Sequence, residues 1–111
     1  MQTILAHTIA PFMQRFENFS DAEFRSLEIL SPTNIQTTFA LQDASRDFDW
    51  ITITLSFSDV VDASLIDANQ TQHLDTSEGA TLEYDGTYRF KIQGSTFFIQ
   101  AKNLKYTEGS F

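Results

Sequence analysis

From Asp49 the chain runs DWITITLSFS, and Ile51, Ile53, Leu55 and Phe57 alternate with Thr52, Thr54, Ser56 and Ser58. A strict period of two puts four apolar side chains on one face of a β-strand and the hydroxyls on the other. Upstream, Ile35, Thr37, Phe39 and Leu41 share the same period. Pairing Asp43 with Asp49 across the short link Ala44–Phe48 sets Leu41 opposite Ile51, Phe39 opposite Ile53 and Ile35 opposite Phe57. Every apolar residue then meets another, and a one-residue slip would turn the set outward, so this register is strongly specified.

Phe24 to Leu30 forms a weaker strand pattern, with Leu27 and Ile29 in one phase and Phe24 and Leu30 in the other. Ser31-Pro32-Thr33-Asn34 is a turn tetrad. Regular pairing through it predicts Leu30 opposite Ile35 and Phe24 opposite Leu41.

In the last third, Gly94-Ser95 suits a two-residue type II′ hairpin with Gly94 at its first central position. That closure sets Ile92 opposite Phe97, Phe90 opposite Ile99 and Tyr88 opposite Ala101. At Asp85-Gly86 a two-residue loop would misalign the faces. A three-residue loop over Asp85–Thr87 places Tyr84 opposite Tyr88, and a longer loop or bulge is expected there. Between Ala101 and Leu104 the apolar phase changes, which predicts a bulge near Lys102-Asn103.

Ahead of the strands, Ile9, Phe12, Met13 and Phe16 follow an i, i+3, i+4, i+7 pattern, one face of a helix. Thr8 or Ala10 can stand at its N-cap, and Pro11 fits its first turn. The spacing predicts a helix over about 9–18 and a sheet over about 24–106 in one domain, residues 1–111. The predicted fold class is α+β, mainly antiparallel: a meander of about five to seven strands with the N-terminal helix packed on it. Ala68–Gly79 is the long polar stretch and the expected mobile loop.

Eleven phenylalanines assign much of the stabilisation to aromatic burial, at roughly 1.5–3 kcal/mol for each fully buried ring. There is no cysteine, so disulfides and thiolate metal sites are excluded. The first residues lack a charged n-region, and no apolar run approaches a membrane span. A cytoplasmic protein without membrane attachment is the expectation.

Net charge is −8. Between Asp43 and Asp85 the only lysine or arginine is Arg46, against acids that include Asp59, Asp62, Asp67, Asp75 and Glu78. This disfavours direct nucleic-acid binding, which needs basic surface. It suits a basic partner through steering and complementarity, although acidity also serves solubility alone.

Candidate chemistry is sparse. His7 and His73 are too few for a histidine metal site. The acids do not follow the spacing of a calcium loop, and Asp75 or Ser77 is better read as capping a turn. No nucleophile elbow, P-loop or dinucleotide motif occurs. We therefore expect neither an enzyme nor a cofactor. Trp50 lies in the phase opposite Ile51. Either it belongs to the core under the helix beside Leu27 and Ile29, the commoner fate of a lone tryptophan, or it is an exposed anchor for a partner.

The segments FENFSDAEFRSLEI, DWITITLSFSDVVDASLID and FFIQAKNLKYTEG, in that order, resemble the small bacterial immunity-type proteins of the immunity protein 50 family. The resemblance implies a β-rich cytosolic protein that neutralises a partner toxin, and it supplies no site residues. The residues themselves favour a non-enzymatic protein-binding domain, with Trp50, Asp59, Asp62, Asp67, Asp75 and Glu78 as the partner-binding set. Two alternatives stand beside it. One is an acidic nucleic-acid mimic that blocks a nucleic-acid-binding protein. The other is a small-ligand β-domain with Tyr88, Phe90 and Phe97 around a cavity. An exposed terminal strand would also allow a homodimer.

Overall fold

The computed structural model describes residues 1–65 and 74–111. Its strands are β1 (Gln2–Thr3), β2 (Glu23–Ser31), β3 (Asn34–Asp43), β4 (Asp49–Ser64), β5 (Ala80–Tyr84), β6 (Tyr88–Ile92) and β7 (Phe98–Ser110), all in one antiparallel sheet. The predicted class therefore holds. The order is β2-β3-β4-β7-β6-β5, so the chain makes two three-stranded meanders joined where β4 meets β7. Short β1 extends the line of β6, pairing Gln2 with Tyr106 and Thr3 with Lys105. The terminal strand is thus internal for most of its length, and the edges are β2 and β5. This corrects the expectation of a terminal edge strand.

The predicted β3–β4 register is present residue for residue, from Ile35 opposite Phe57 to Asp43 opposite Asp49. Tyr84 faces Tyr88 across the three-residue corner, and Phe90 faces Ile99. At Gly94 the turn closes one residue earlier than expected: Ser95 N–H donates to Ile92 O, leaving Gly94 in the second central position at φ +80°. The face is unchanged, because Ile92 still donates to Phe97 O.

β2 departs further. Its pairing shifts between Phe24 and Ser26 and again between Ile29 and Ser31, so Phe24 faces Phe39 and Ile29 faces Ile35. Each bulge adds a residue to an edge strand, where nothing on the far side enforces regularity. Phe24 and Leu27 consequently both pack against the core, while Ile29 and Leu30 are exposed. The phase change before Leu104 is real, but β7 does not make it alone. Asp59 adopts φ +55° opposite that point, and Phe57 still faces Leu104 while Val60 faces Ala101. The two strands change phase together, and the shift in their pairing lies on β4 between Val60 and Asp62.

The helix α1 (Ile9–Arg15) is shorter than predicted, flanked by 3₁₀ turns at Ala6–Thr8 and Glu17–Phe19. Its buried face, Phe12 and Met13, lies on the same side of the sheet as Ile51, Ile53, Leu55 and Phe57. Phe19 is the centre of this core, with ring centroids 5.3 Å from Phe39 and 5.4 Å from Phe90, both edge-on. Such pairs add about 0.5–1.5 kcal/mol to simple burial. Reaching that position costs strain: Glu17, Asn18 and Phe19 all have φ between +55° and +61°, a conformation unfavourable by roughly 1–2 kcal/mol per non-glycine residue. Burial of the Phe19 ring offsets it.

This left-handed turn rests on the segment before β5. Asp21 N–H donates to Thr76 O and Gly79 N–H to the same carbonyl, while Thr76 Oγ1 donates to Ala22 O. The start of the long polar stretch, up to residue 73, lies outside the described residues; from Leu74 onward it is tied down by these bonds. Gly79 sits at φ +77°, and a Cβ there would come within 2.5 Å of Asn18 O. Gly86 also has positive φ, but a Cβ there would meet nothing within 4 Å. Gly86→Ala should therefore cost about 1–2 kcal/mol of strain alone. For Gly79→Ala the backbone clash raises this to on the order of 3 kcal/mol. Urea unfolding of both variants measures the difference, and equal losses would refute the proposed fit between the two segments.

Candidate functional site

The chemistry-bearing side chains gather at one end of the sheet, where β3 turns into β4 and β7 ends. Asp43 continues the core phase of Phe39 and Leu41 and is fully buried. A buried carboxylate must be paired and hydrogen-bonded. Arg15, at the end of α1, supplies a two-pronged pair: Nε to Oδ1 at 2.9 Å and Nη2 to Oδ2 at 2.8 Å. Ser45 adds its backbone N–H and its hydroxyl to Oδ1. Arg15 Nη2 also donates to Glu108 Oε1 at 2.6 Å, and Arg46 contacts Asp43 and Glu108 at 3.3 and 3.1 Å. Two arginines and two carboxylates thus lock the helix, the β3–β4 turn and β7 together. Arg15 holds the Asp43 carboxyl down at about 2, against the opposing effect of burial, and the pair raises Arg15 in turn.

On the opposite face at the same end stand Trp50 and Phe111, 43% and 64% exposed, with ring centroids 5.6 Å apart. The helix covers the other side of the sheet, so the expectation of a core tryptophan fails. Arg25 reaches across from β2 and holds its guanidinium 4.9 Å above the Phe111 ring. At this end lies an open cleft of about 420 Å³ whose lining includes Trp50, Phe111, Arg46, Asp49 and Glu108. Gly109 belongs to its lining; a Cβ there would come within 2.5 Å of Thr52 Oγ1. Phe48, in the turn nearby, is also exposed.

The predicted acidic set does not join this cleft. Asp59 lies further along β4, roughly 30 Å from Trp50 at the rise of an extended strand. There it accepts a hydrogen bond from Asn103 Nδ2 at 2.9 Å. Asp62 caps its neighbour Ala63 N–H. Asp75 accepts from Ser77 N–H, the turn cap expected, and that bond holds its carboxyl below the usual range. Glu78 lies beside Gly94. Asp67 and His73 lie outside the described residues. Among the described residues no group of three acids or histidines could hold a metal ion.

Tyr88, Phe90 and Phe97, named as a ligand lining, are buried in the core instead. The Tyr88 hydroxyl donates to Ile4 O, and burial pushes it up, with nearby Tyr84 adding to the effect. Sequence reasoning passed over Arg15, Glu108, Asp49 and Phe111. A signal existed for one contact only: Asp43 extends the apolar phase of β3, and a charge in a core phase requires a buried partner.

No protein-family model, curated protein or solved structure matches this chain. No helix among the described residues is long and apolar enough to cross a membrane.

The depressed Asp43 titration sets an acid limit. A carboxyl at about 2 in the folded state, against 3.8 when unperturbed, contributes about 2 kcal/mol that is fully present above pH 4. The contribution is lost as pH falls through about 2. At pH 7, Asp43→Asn should cost about 3 kcal/mol by removing the two-pronged partner of the partly buried Arg15 and leaving it Glu108 alone, and the gap to wild type should narrow below pH 4. Urea titrations at several pH values measure this, and a gap independent of pH would contradict it.

Proposed function

We propose that this protein is a non-catalytic binding module whose partner is a protein, docked at the end of the sheet that carries Trp50 and Phe111. The observation that carries the reading is the pair of large aromatic rings left exposed side by side at one end of the sheet, Trp50 on β4 and Phe111 just past β7. Tryptophan and arginine are the residues most enriched where truncation weakens protein interfaces; Arg25 lies over the neighbouring Phe111 ring and Arg46 shares the cleft lining with Trp50. Trp50 is held by the β3–β4 ladder and the Arg15–Asp43 pair, so little ordering cost attends binding.

The acidic surface supports the reading in a different way. Asp59, Asp62, Asp75 and Glu78 lie away from Trp50, so they serve through the summed field of a molecule of charge −8, drawing in a basic partner. Neutralisation of a basic toxin, as in the immunity-type proteins, is the specific role we assign to such binding.

The tagged protein used as bait in a lysate of its native host tests this, in parallel with Trp50→Ala/Phe111→Ala and Asp59→Lys/Asp62→Lys. A specific basic protein should be recovered at least tenfold less by the aromatic variant, while its thermal midpoint stays within a few degrees of wild type. The charge-reversed variant should slow association and make it less sensitive to salt. Equal recovery by all three baits would sink the assignment.

A further inference from the structure

We infer that the cleft lined by Trp50, Phe111, Asp49 and Glu108 is a receptor for an arginine side chain of the partner, an inference that rests on the protein-binding reading above. The protein already shows the chemistry on itself. Arg25 lays its guanidinium 4.9 Å over the Phe111 ring, the geometry of a cation–π contact. Trp50, a stronger cation–π surface than phenylalanine, stands 5.6 Å away and has no cation over its ring among the described residues.

Carboxylates in the same lining complete the site. The Asp49 carboxylate makes no hydrogen bond or ion pair among the described residues, although its backbone belongs to the β3–β4 ladder. Glu108 directs Oε1 to both Arg15 and Arg46, and Oε2 takes no donor from the described residues. The charged residues lining the cleft are Asp49 and Glu108 against Arg46; Arg25 over Phe111 is paired with Glu23 at 3.4 Å and the Arg15–Asp43 pair is balanced, which leaves the lining net negative. An entering guanidinium can therefore stack on Trp50 and donate to Asp49 or Glu108 with its planar fork. Lysine lacks both the plane and the fork, so arginine is the better occupant. Arg25 then acts as an internal competitor that occupies the neighbouring ring when the partner is away.

The chain's single tryptophan makes Trp50 fluorescence a direct readout. The probes are N-acetyl-argininamide and an arginine-containing hexapeptide, with lysine counterparts and sodium chloride at matched ionic strength. Both arginine probes should give a saturable change, several-fold tighter than the lysine probes. Asp49→Asn should weaken binding about three- to tenfold, and Arg25→Ala should tighten it by removing the competitor. A linear response, like that of free N-acetyl-tryptophanamide, would overturn the inference. So would saturation that neither substitution alters, because the probe would then sit elsewhere. Loss of partner capture by the aromatic variant together with silent arginine probes would retain the protein-binding reading and refute this one. Tight arginine binding with no protein captured would do the reverse.

Discussion

The pairing of β4 with β7, from Ile51 opposite Ser110 to Ser64 opposite Phe98, is what the rest of the structure depends on. Without it the chain would be two separate three-stranded meanders, each with one apolar face and each at the lower size limit for a stable sheet. With it, Phe39 and Phe57 from one unit and Phe90 from the other lie together around Phe19. The same pairing brings the end of β7 beside the start of β4. Phe111 therefore reaches Trp50, and Glu108 reaches the arginines. Core and cleft are two results of one register.

The ion cluster occupies the point where that register is most exposed to fraying. Asp43 and Glu108 lie at strand ends in the core phase, and Arg15 closes over them from the helix. A polar cluster there costs desolvation that apolar residues would not. It does, however, fix the orientation of three elements around one carboxylate. The cleft wall formed by Arg46 and Glu108 is thus part of the same device that anchors α1.

What could be read from the sequence was local. The β3–β4 register, the Tyr84–Tyr88 corner and the face shared by β6 and β7 all follow from apolar alternation across short turns. Such alternation leaves few other solutions. The bulges of β2 were hidden because an edge strand can absorb an extra residue without burying anything wrongly. Asp43 looked like one more acid in an acidic segment, since its partners Arg15 and Glu108 are distant in the chain. Trp50 was misplaced for a similar reason. Periodicity assigned it to a face, and only the side on which α1 packs decides whether that face is covered. Phe111 carried no local signal at all.

The order of the strands also bears on how the protein reaches this state. The hairpins β2–β3–β4 and β5–β6–β7 can each form by closing short loops, but β4 and β7 join residues on either side of the whole second meander. Closing that long loop must precede the contacts that reward it, which places folding among the slower, non-local topologies. Until β7 arrives, β4 is an open edge carrying Ile51, Ile53, Leu55 and Phe57 beside unpaired backbone. Because β7 is the last strand in chain order, that edge stays unprotected during synthesis until nearly all of the described chain has been made. The interval when this protein is most prone to misassociation is therefore built into the same pairing that makes it one molecule.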